Sequence, residues 1–152
     1  MKKIFVSIAS YQDPLLLETI CSAYENAKYK DFITFGVCEQ SSNGIDLDSI
    51  KFKHQIRYEL IDPVMAKGPC YARSRIQSLI NDEDYYLQID SHMIFYQGWD
   101  EILIKYFNWL QQQINSDLVI TGYPRSFKAN ESLDEFELNI KYKDTLGITF
   151  RE

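Results

Sequence analysis

Tyr85-Tyr86-Leu87-Gln88-Ile89-Asp90-Ser91-His92-Met93 runs from apolar and aromatic residues into an acid, a serine and a histidine. The apolar part predicts a β-strand. Residues two apart on a strand point the same way, so Asp90 and His92 share one side of the strand end. There they offer a carboxylate oxygen and an imidazole nitrogen to one cation. The carboxyl ends of strands are also where α/β sheets bind ligands. A strand followed by a polar turn would carry the same residue types, so the neighbouring segments must decide.

Upstream, Asn81-Asp82-Glu83-Asp84 is a polar break. Before it, Pro69 opens a helix predicted over 69–80, with Ala72, Ile76, Leu79 and Ile80 as its packing face. After Gly98, residues Trp99, Ile102, Leu103, Tyr106, Phe107, Leu110 and Ile114 follow the helical period. Asp100 and Glu101 occupy that helix's first turn, where the dipole favours acids. Near the N-terminus, the apolar residues 4–9 predict a short central strand. Asp13 and Pro14 then supply an N-cap and a first helical residue. The helix that follows, over 14–27, turns Leu16, Leu17, Ile20, Cys21 and Tyr24 to one face. Residues 32–38 and 56–61 predict a second and a third strand, and 118–123 a further one stopped by Pro124. The charged stretch 125–152 has weak strand signals around 136–142. Strands alternating with helices predict an α/β fold with a mostly parallel, Rossmann-like sheet flanked by helices, built as a single domain over 1–152.

With 45% hydrophobic residues in 152, the chain can build a real core. Its net charge of −6 repels nucleic acid and anionic membrane, so any anion site must be a local basic cluster. No apolar run reaches the roughly 18–20 residues of a membrane span. The first residues, Met1-Lys2-Lys3 and the short apolar run after them, fall short of a signal peptide, because Ser7, Ser10 and Asp13 interrupt it. They read as the first strand of a cytoplasmic protein. The three cysteines, Cys21, Cys38 and Cys70, have no CxxC spacing, so they predict small buried residues rather than a disulfide framework or a zinc site.

The local basic cluster is Lys67-Gly68-Pro69-Cys70-Tyr71-Ala72-Arg73-Ser74-Arg75. Cations are mildly unfavourable at a helix N-terminus. The arrangement makes sense around an anion held by backbone N–H groups and side chains together, and arginine can grip two phosphate oxygens at once. Pairing of Arg73 and Arg75 with acids elsewhere, such as 82–84, would also explain them. An anion site and a cation site at one strand–helix edge are what a nucleoside diphosphate bound through a divalent metal requires.

Three motifs, Ile4-Phe5-Val6-Ser7-Ile8-Ala9-Ser10-Tyr11-Gln12-Asp13-Pro14, Gly68-Pro69-Cys70-Tyr71-Ala72-Arg73 and Gln88-Ile89-Asp90-Ser91-His92-Met93 with Gly98-Trp99-Asp100, together resemble the GlcNAc-transferase family. Its members are similar to the enzyme that places N-acetylglucosamine on hydroxyproline of Skp1. The resemblance implies a GT-A fold and a DxD-type motif, here Asp90-Ser91-His92, holding a divalent metal on a UDP-sugar. Carried over, Asp90 and His92 would ligate Mn²⁺ or Mg²⁺, with imidazole favouring Mn²⁺. Ser7, Ala9, Ser10 and Tyr11 would line the uridine pocket, while Lys67, Arg73 and Ser91 complete the donor site. Asp90 and Arg73 would serve catalysis by stabilising the departing UDP. The resemblance further implies retention of the α-configuration and a protein or glycan hydroxyl as acceptor.

Residues 1–124 would then form the donor-binding core, and 125–152 the start of the acceptor side. Family domains continue beyond the last residue here, so the fold is expected to be incomplete at the C-terminus. Two alternatives use the same residues. One is a non-catalytic sugar-nucleotide or glycan binding module, or an inactive donor-binding half. The other is a metal-dependent nucleotidyltransferase or phosphohydrolase, which needs a second acidic site. Asp100 and Glu101 are possible bases or simple first-turn acids, and Trp99 either stacks on the sugar or belongs to the core.

Overall fold

The computed structural model describes residues 2–114, 118–122 and 124. Strands β1 (Ile4–Tyr11), β2 (Ile33–Gln40), β3 (Ile56–Ile61) and β4 (Tyr85–Ile89) form one sheet in the order β3-β2-β1-β4. All three pairings are parallel. Helices α1 (Leu16–Glu25), α2 (Pro69–Gln77) and α3 (Trp99–Gln113) make up the helical part. The chain divides into two compact units, Met1–Glu101 and Ile102–Glu152. The whole sheet, α1 and α2 belong to the first.

This is the predicted α/β architecture, and the strand order explains where a ligand would go. From β1 the chain moves outward to β2 and β3, then returns to β4 on the other side of β1. The reversal opens a crevice at the carboxyl ends of β1 and β4, as in Rossmann-like sheets. The central strand is buried along most of its length: Phe5, Val6, Ser7 and Ile8 are fully covered. In β2, Phe35, Val37 and Cys38 are equally covered, which is why both strands read as continuous apolar runs.

Several boundaries differ from expectation. Strand β1 continues past residue 9 because Ser10 and Tyr11 pair with Glu39 and Gln40; ladder bonds do not depend on side-chain polarity. Helix α1 starts at Leu16, not Pro14, and its N-cap is Leu15 rather than the expected Asp13, because residues 14–15 form a turn. Its first links are Leu15 N–H to Asp13 Oδ1 at 2.9 Å and Leu16 N–H to the Asp13 carbonyl at 3.4 Å. The buried face of α1 is Leu16, Thr19, Ile20 and Ala23, so Leu17, Cys21 and Tyr24 sit at its margins. Helix α2 ends at Gln77, leaving Ile80 exposed. Residues 118–122 form no strand, since an extended apolar segment becomes one only through ladder bonds. The signals around 136–142 lie outside the described residues.

The polar break before β4 is a set of ion pairs. Lys3 pairs with Asp82 at 2.5 Å, Lys2 with Asp84 at 2.8 Å and Arg57 with Glu83 at 2.7 Å. These acids lie at the amino end of β4, opposite to the crevice. Arg57 also donates to the Leu79 carbonyl and lies over the Phe5 ring. Burial pushes the Glu83 carboxyl up, but the Asn81 N–H and Arg57 outweigh it and hold the group below its usual range. A depressed carboxyl stabilises the fold above its unfolded pKa of about 4.3, and that stability is lost as pH falls through the lower folded value. Acid unfolding followed by circular dichroism should therefore show a shallower pH dependence in Glu83→Gln than in the wild type.

All three cysteines are free thiols. Cys38 is fully buried, and burial pushes its thiol up to about 11, so it is no nucleophile. Cys21 is half-buried. Contrary to expectation, Cys70 is exposed, because it occupies the outer side of the first turn of α2. Among the described residues, no helix is long and apolar enough to cross a membrane.

Candidate functional site

The carboxyl ends of β1, β2 and β4 carry two features, one on each side of β1. The first is a cleft of about 450 Å³ between the ends of β1 and β2 and the loop into α2. Ala9, Ser10, Tyr11, Gln40, Gly68 and Pro69 are among its lining residues. Ser10 Oγ and Gln40 Oε1 are buried without a hydrogen-bond partner among the described residues. The Gln40 amide nitrogen faces the Ser10 carbonyl at 3.4 Å, which leaves Oε1 as an unused acceptor. Tyr11 is 57% exposed, so its ring is open at the cleft. Gly68 takes φ +83° as it leads into α2, a conformation that glycine adopts without strain.

The second feature surrounds Asp90-Ser91-His92. Ile89 is the last residue of β4 to pair with β1, opposite Ile8, so Asp90 leaves the sheet while β1 continues. Thr19 of α1 fixes the turn that follows. Its hydroxyl donates to the Ser91 carbonyl at 2.8 Å and accepts from the Met93 N–H at 2.9 Å. One helical turn on, Ser22 Oγ accepts from the Phe95 N–H. Asp13 closes the cluster from the β1 side: its Oδ2 lies 2.6 Å from Ser91 Oγ and 2.7 Å from His92 Nδ1. Partial burial pushes the Asp13 carboxyl up, but hydrogen bonds from Ser91, His92 and the Leu15 N–H outweigh it and hold the group below the usual carboxylate range.

Helix α2 joins the two features. Pro69 lines the cleft, and one turn later an Arg73 guanidinium nitrogen lies 3.6 Å from Asp90 Oδ1. That is longer than the roughly 2.7–2.9 Å of a charge-assisted hydrogen bond, so neither group is tightly occupied by the other. Arg75 behaves differently. It pairs with Glu59 at 2.7 Å and its Nε donates to both carboxylate oxygens, so it is an ordinary surface pair, with Glu59 rather than residues 82–84 as its partner. The Lys67 ammonium lies over the Tyr71 ring at 5.3 Å.

Of the residues singled out in the sequence, the structure gathers Ala9, Ser10 and Tyr11 at the cleft, and Arg73, Asp90, Ser91 and His92 at the crevice. Ser7 is not brought into the cleft. It is fully buried in mid-strand, and its hydroxyl accepts from the Tyr86 hydroxyl. Asp100 is 1% exposed and accepts the backbone N–H groups of Lys28 and Tyr29, so it ties down the segment leading to β2. Glu101 is held by Lys28 at 2.7 Å. The Trp99 indole donates to the Ala23 carbonyl and is 5% exposed, which makes it a core residue. Sequence reasoning missed Gln40, Thr19 and the second role of Asp13. Among the described residues, no three His, Cys, Asp or Glu side chains form a ready-made metal cluster.

A family model described as a glycosyltransferase (GlcNAc) matches residues 42–146, about two thirds of the chain. The chain belongs to this family. It is therefore a sugar transferase, and its reaction requires a sugar donor and an acceptor. The matched span includes Arg73, Asp90, Ser91 and His92 of the crevice, and Gly68 and Pro69 of the cleft. No curated protein is significantly similar to the chain.

Proposed function

We propose that this transferase moves N-acetylglucosamine from UDP-N-acetylglucosamine to a protein or glycan hydroxyl, on a GT-A-type sheet, as in the hydroxyproline-modifying branch of the family. The observation that carries the reading is the approach of Arg73 to Asp90 at 3.6 Å. It places a cation able to neutralise phosphate beside an acid able to hold a metal, at the reversal point of the sheet. The cleft has the size of a small-molecule pocket, within the usual range of about 300–1,000 Å³. Its Ser10 and Gln40 oxygens, unpartnered among the described residues, suit the polar edge of a uracil base, and the exposed Tyr11 ring suits its face.

The donor set at the crevice fits a divalent cation. Asp90 supplies a carboxylate and His92 an imidazole; their side chains are 57% and 59% exposed, which leaves room for phosphate oxygens. An imidazole in the set favours Mn²⁺ over Mg²⁺. When bound, the cation supplies Lewis-acid stabilisation of the leaving diphosphate. Asp90 and His92 would hold it at the strand end, and Arg73 would neutralise the charge that gathers on UDP as its bond to the anomeric carbon breaks. The acceptor hydroxyl attacks that carbon on the face from which UDP departs, so the configuration is retained; the C–O bond to the acceptor forms as the bond to the diphosphate breaks, and the hydroxyl proton passes to the departing phosphate oxygen.

Calorimetry with UDP tests the reading. Binding should require Mn²⁺ and vanish on chelation, whereas equal affinity with and without metal would contradict the assignment. Arg73→Ala should weaken UDP binding by roughly 10–100-fold, as expected for losing charge-assisted bonds of about 1.5–3 kcal/mol, and leave uridine binding almost unchanged. Equal losses for both ligands would count against a phosphate role.

A further inference from the structure

Asp13 has more to do than hold the turn before α1. One carboxylate oxygen, Oδ1, accepts the Leu15 N–H at 2.9 Å. The other, Oδ2, meets Ser91 Oγ and His92 Nδ1. The contact joins residues 79 apart in the chain and crosses the crevice from the end of β1 to the end of β4. The Asp13 side chain is 15% exposed and that of His92 59%, so a largely covered carboxylate grips one edge of a ring whose other edge faces outward.

An ionised carboxylate has acceptors only. The proton between it and His92 must therefore sit on Nδ1, and in the neutral ring the lone pair is left on Nε2. We propose that Asp13 is the positioning residue that fixes His92 in the Nδ1–H tautomer and presents Nε2 as a ligand for the divalent cation. Carboxylates and carbonyls bonded to the far nitrogen of a metal-binding histidine act in this way generally, setting ring orientation and raising ligand basicity. The Ser91 hydroxyl, donating to the same oxygen, ties the middle of the Asp90-Ser91-His92 turn to the same anchor. This inference rests on the reading of His92 as a metal ligand given above.

Replacement by asparagine discriminates sharply. To keep the Leu15 N–H bonded, the amide must turn its oxygen there, which aims its NH₂ at Ser91 and His92. His92 Nδ1 must then accept, and the ring proton moves to Nε2, where it blocks a cation. The chain has two histidines, His54 and His92, so nitrogen NMR of the full chain resolves both rings, with His54→Gln assigning them. In the neutral ring, wild-type His92 should carry its proton on Nδ1, and Asp13→Asn should shift that proton to Nε2. Mn²⁺ affinity, titrated on the same samples, should fall by roughly 10–100-fold in the variant, and Asp13→Glu should recover part of it.

A wild-type ring protonated on Nε2, or a tautomer unchanged by Asp13→Asn, would overturn the proposal. The wild-type reading needs no variant, so it stands even if Asp13→Asn does not fold. A tautomer that shifts as expected with no change in Mn²⁺ affinity would instead overturn the role of His92 as a ligand while leaving its bond to Asp13 in place.

Discussion

Asp90→Ala is expected to cut UDP release from UDP-N-acetylglucosamine by at least about 100-fold, while leaving the melting temperature nearly unchanged. Partners that merely orient metal ligands are worth roughly 10–100-fold, so on the proposed reading the loss of a direct ligand should exceed that. Stability should survive because the Asp90 side chain is more than half exposed and its ion pair to Arg73 is long; such surface pairs contribute little. The two readouts separate a chemical defect from a folding defect. Initial rates of UDP release with Mn²⁺ present measure the first, and thermal unfolding the second. Near-normal rates in Asp90→Ala would remove this residue from the site.

Gly36→Ala should have the opposite profile, a large loss of stability through a position far from the chemistry. Gly36 lies in mid-β2, paired with Ser7 on one side and Arg57 on the other. A Cβ there would come within 2.6 Å of Phe5 Cε1 and 2.8 Å of Ile76 Cγ2. Neither neighbour can retreat. Both are fully buried and pack together with Cys38 and Ala72, and the Phe5 ring is further confined between Tyr86 and the Arg57 guanidinium. Overpacking of a filled core costs about 1–3 kcal/mol, and a clash with two immobile side chains belongs at the top of that range. For a chain of this size a loss of about 3 kcal/mol corresponds to a fall in Tm of roughly 10 °C. A calorimetric melt within about 2 °C of the wild type would mean that Phe5 has freedom its burial denies.

How far these features can be read from the chain depends on whether their causes are local. The first two strands were legible because a fully covered parallel strand must be apolar on both faces, and the segments around Phe5 and Phe35 satisfy that; β4 alternates half-buried and exposed residues and was legible from its apolar and aromatic content. The third strand was placed over its observed span, residues 56–61. The basic start of α2 and the acid–serine–histidine turn were legible because each breaks a local rule. The structure then supplies the pairing that makes them one feature, Arg73 against Asp90.

What escaped reading was non-local. Asp13 had a sufficient local explanation as a helix start, so nothing in the sequence hinted that its second oxygen serves His92. Thr19 bonds both sides of the 91–93 turn, partners that only the fold brings to it. One signal was available: a threonine at the centre of a helix's buried stripe must find partners, and the nearest polar backbone is a turn from another element. Gly36 gave no cue, because its requirement comes from Phe5 and Ile76, each at least 31 positions away in sequence. Residues 125–152, expected to begin the acceptor side, lie outside the described residues.

The central claim is that the reversal point of the sheet holds a nucleoside diphosphate through a cation, and crystals soaked with UDP and Mn²⁺ test it most directly. The manganese anomalous signal should appear between Asp90 and His92 Nε2, at roughly 2.0–2.2 Å from each. The uracil should occupy the cleft beside Ser10, Tyr11 and Gln40, with Arg73 on the diphosphate. Nucleotide bound elsewhere on the sheet, or manganese away from Asp90, would contradict it.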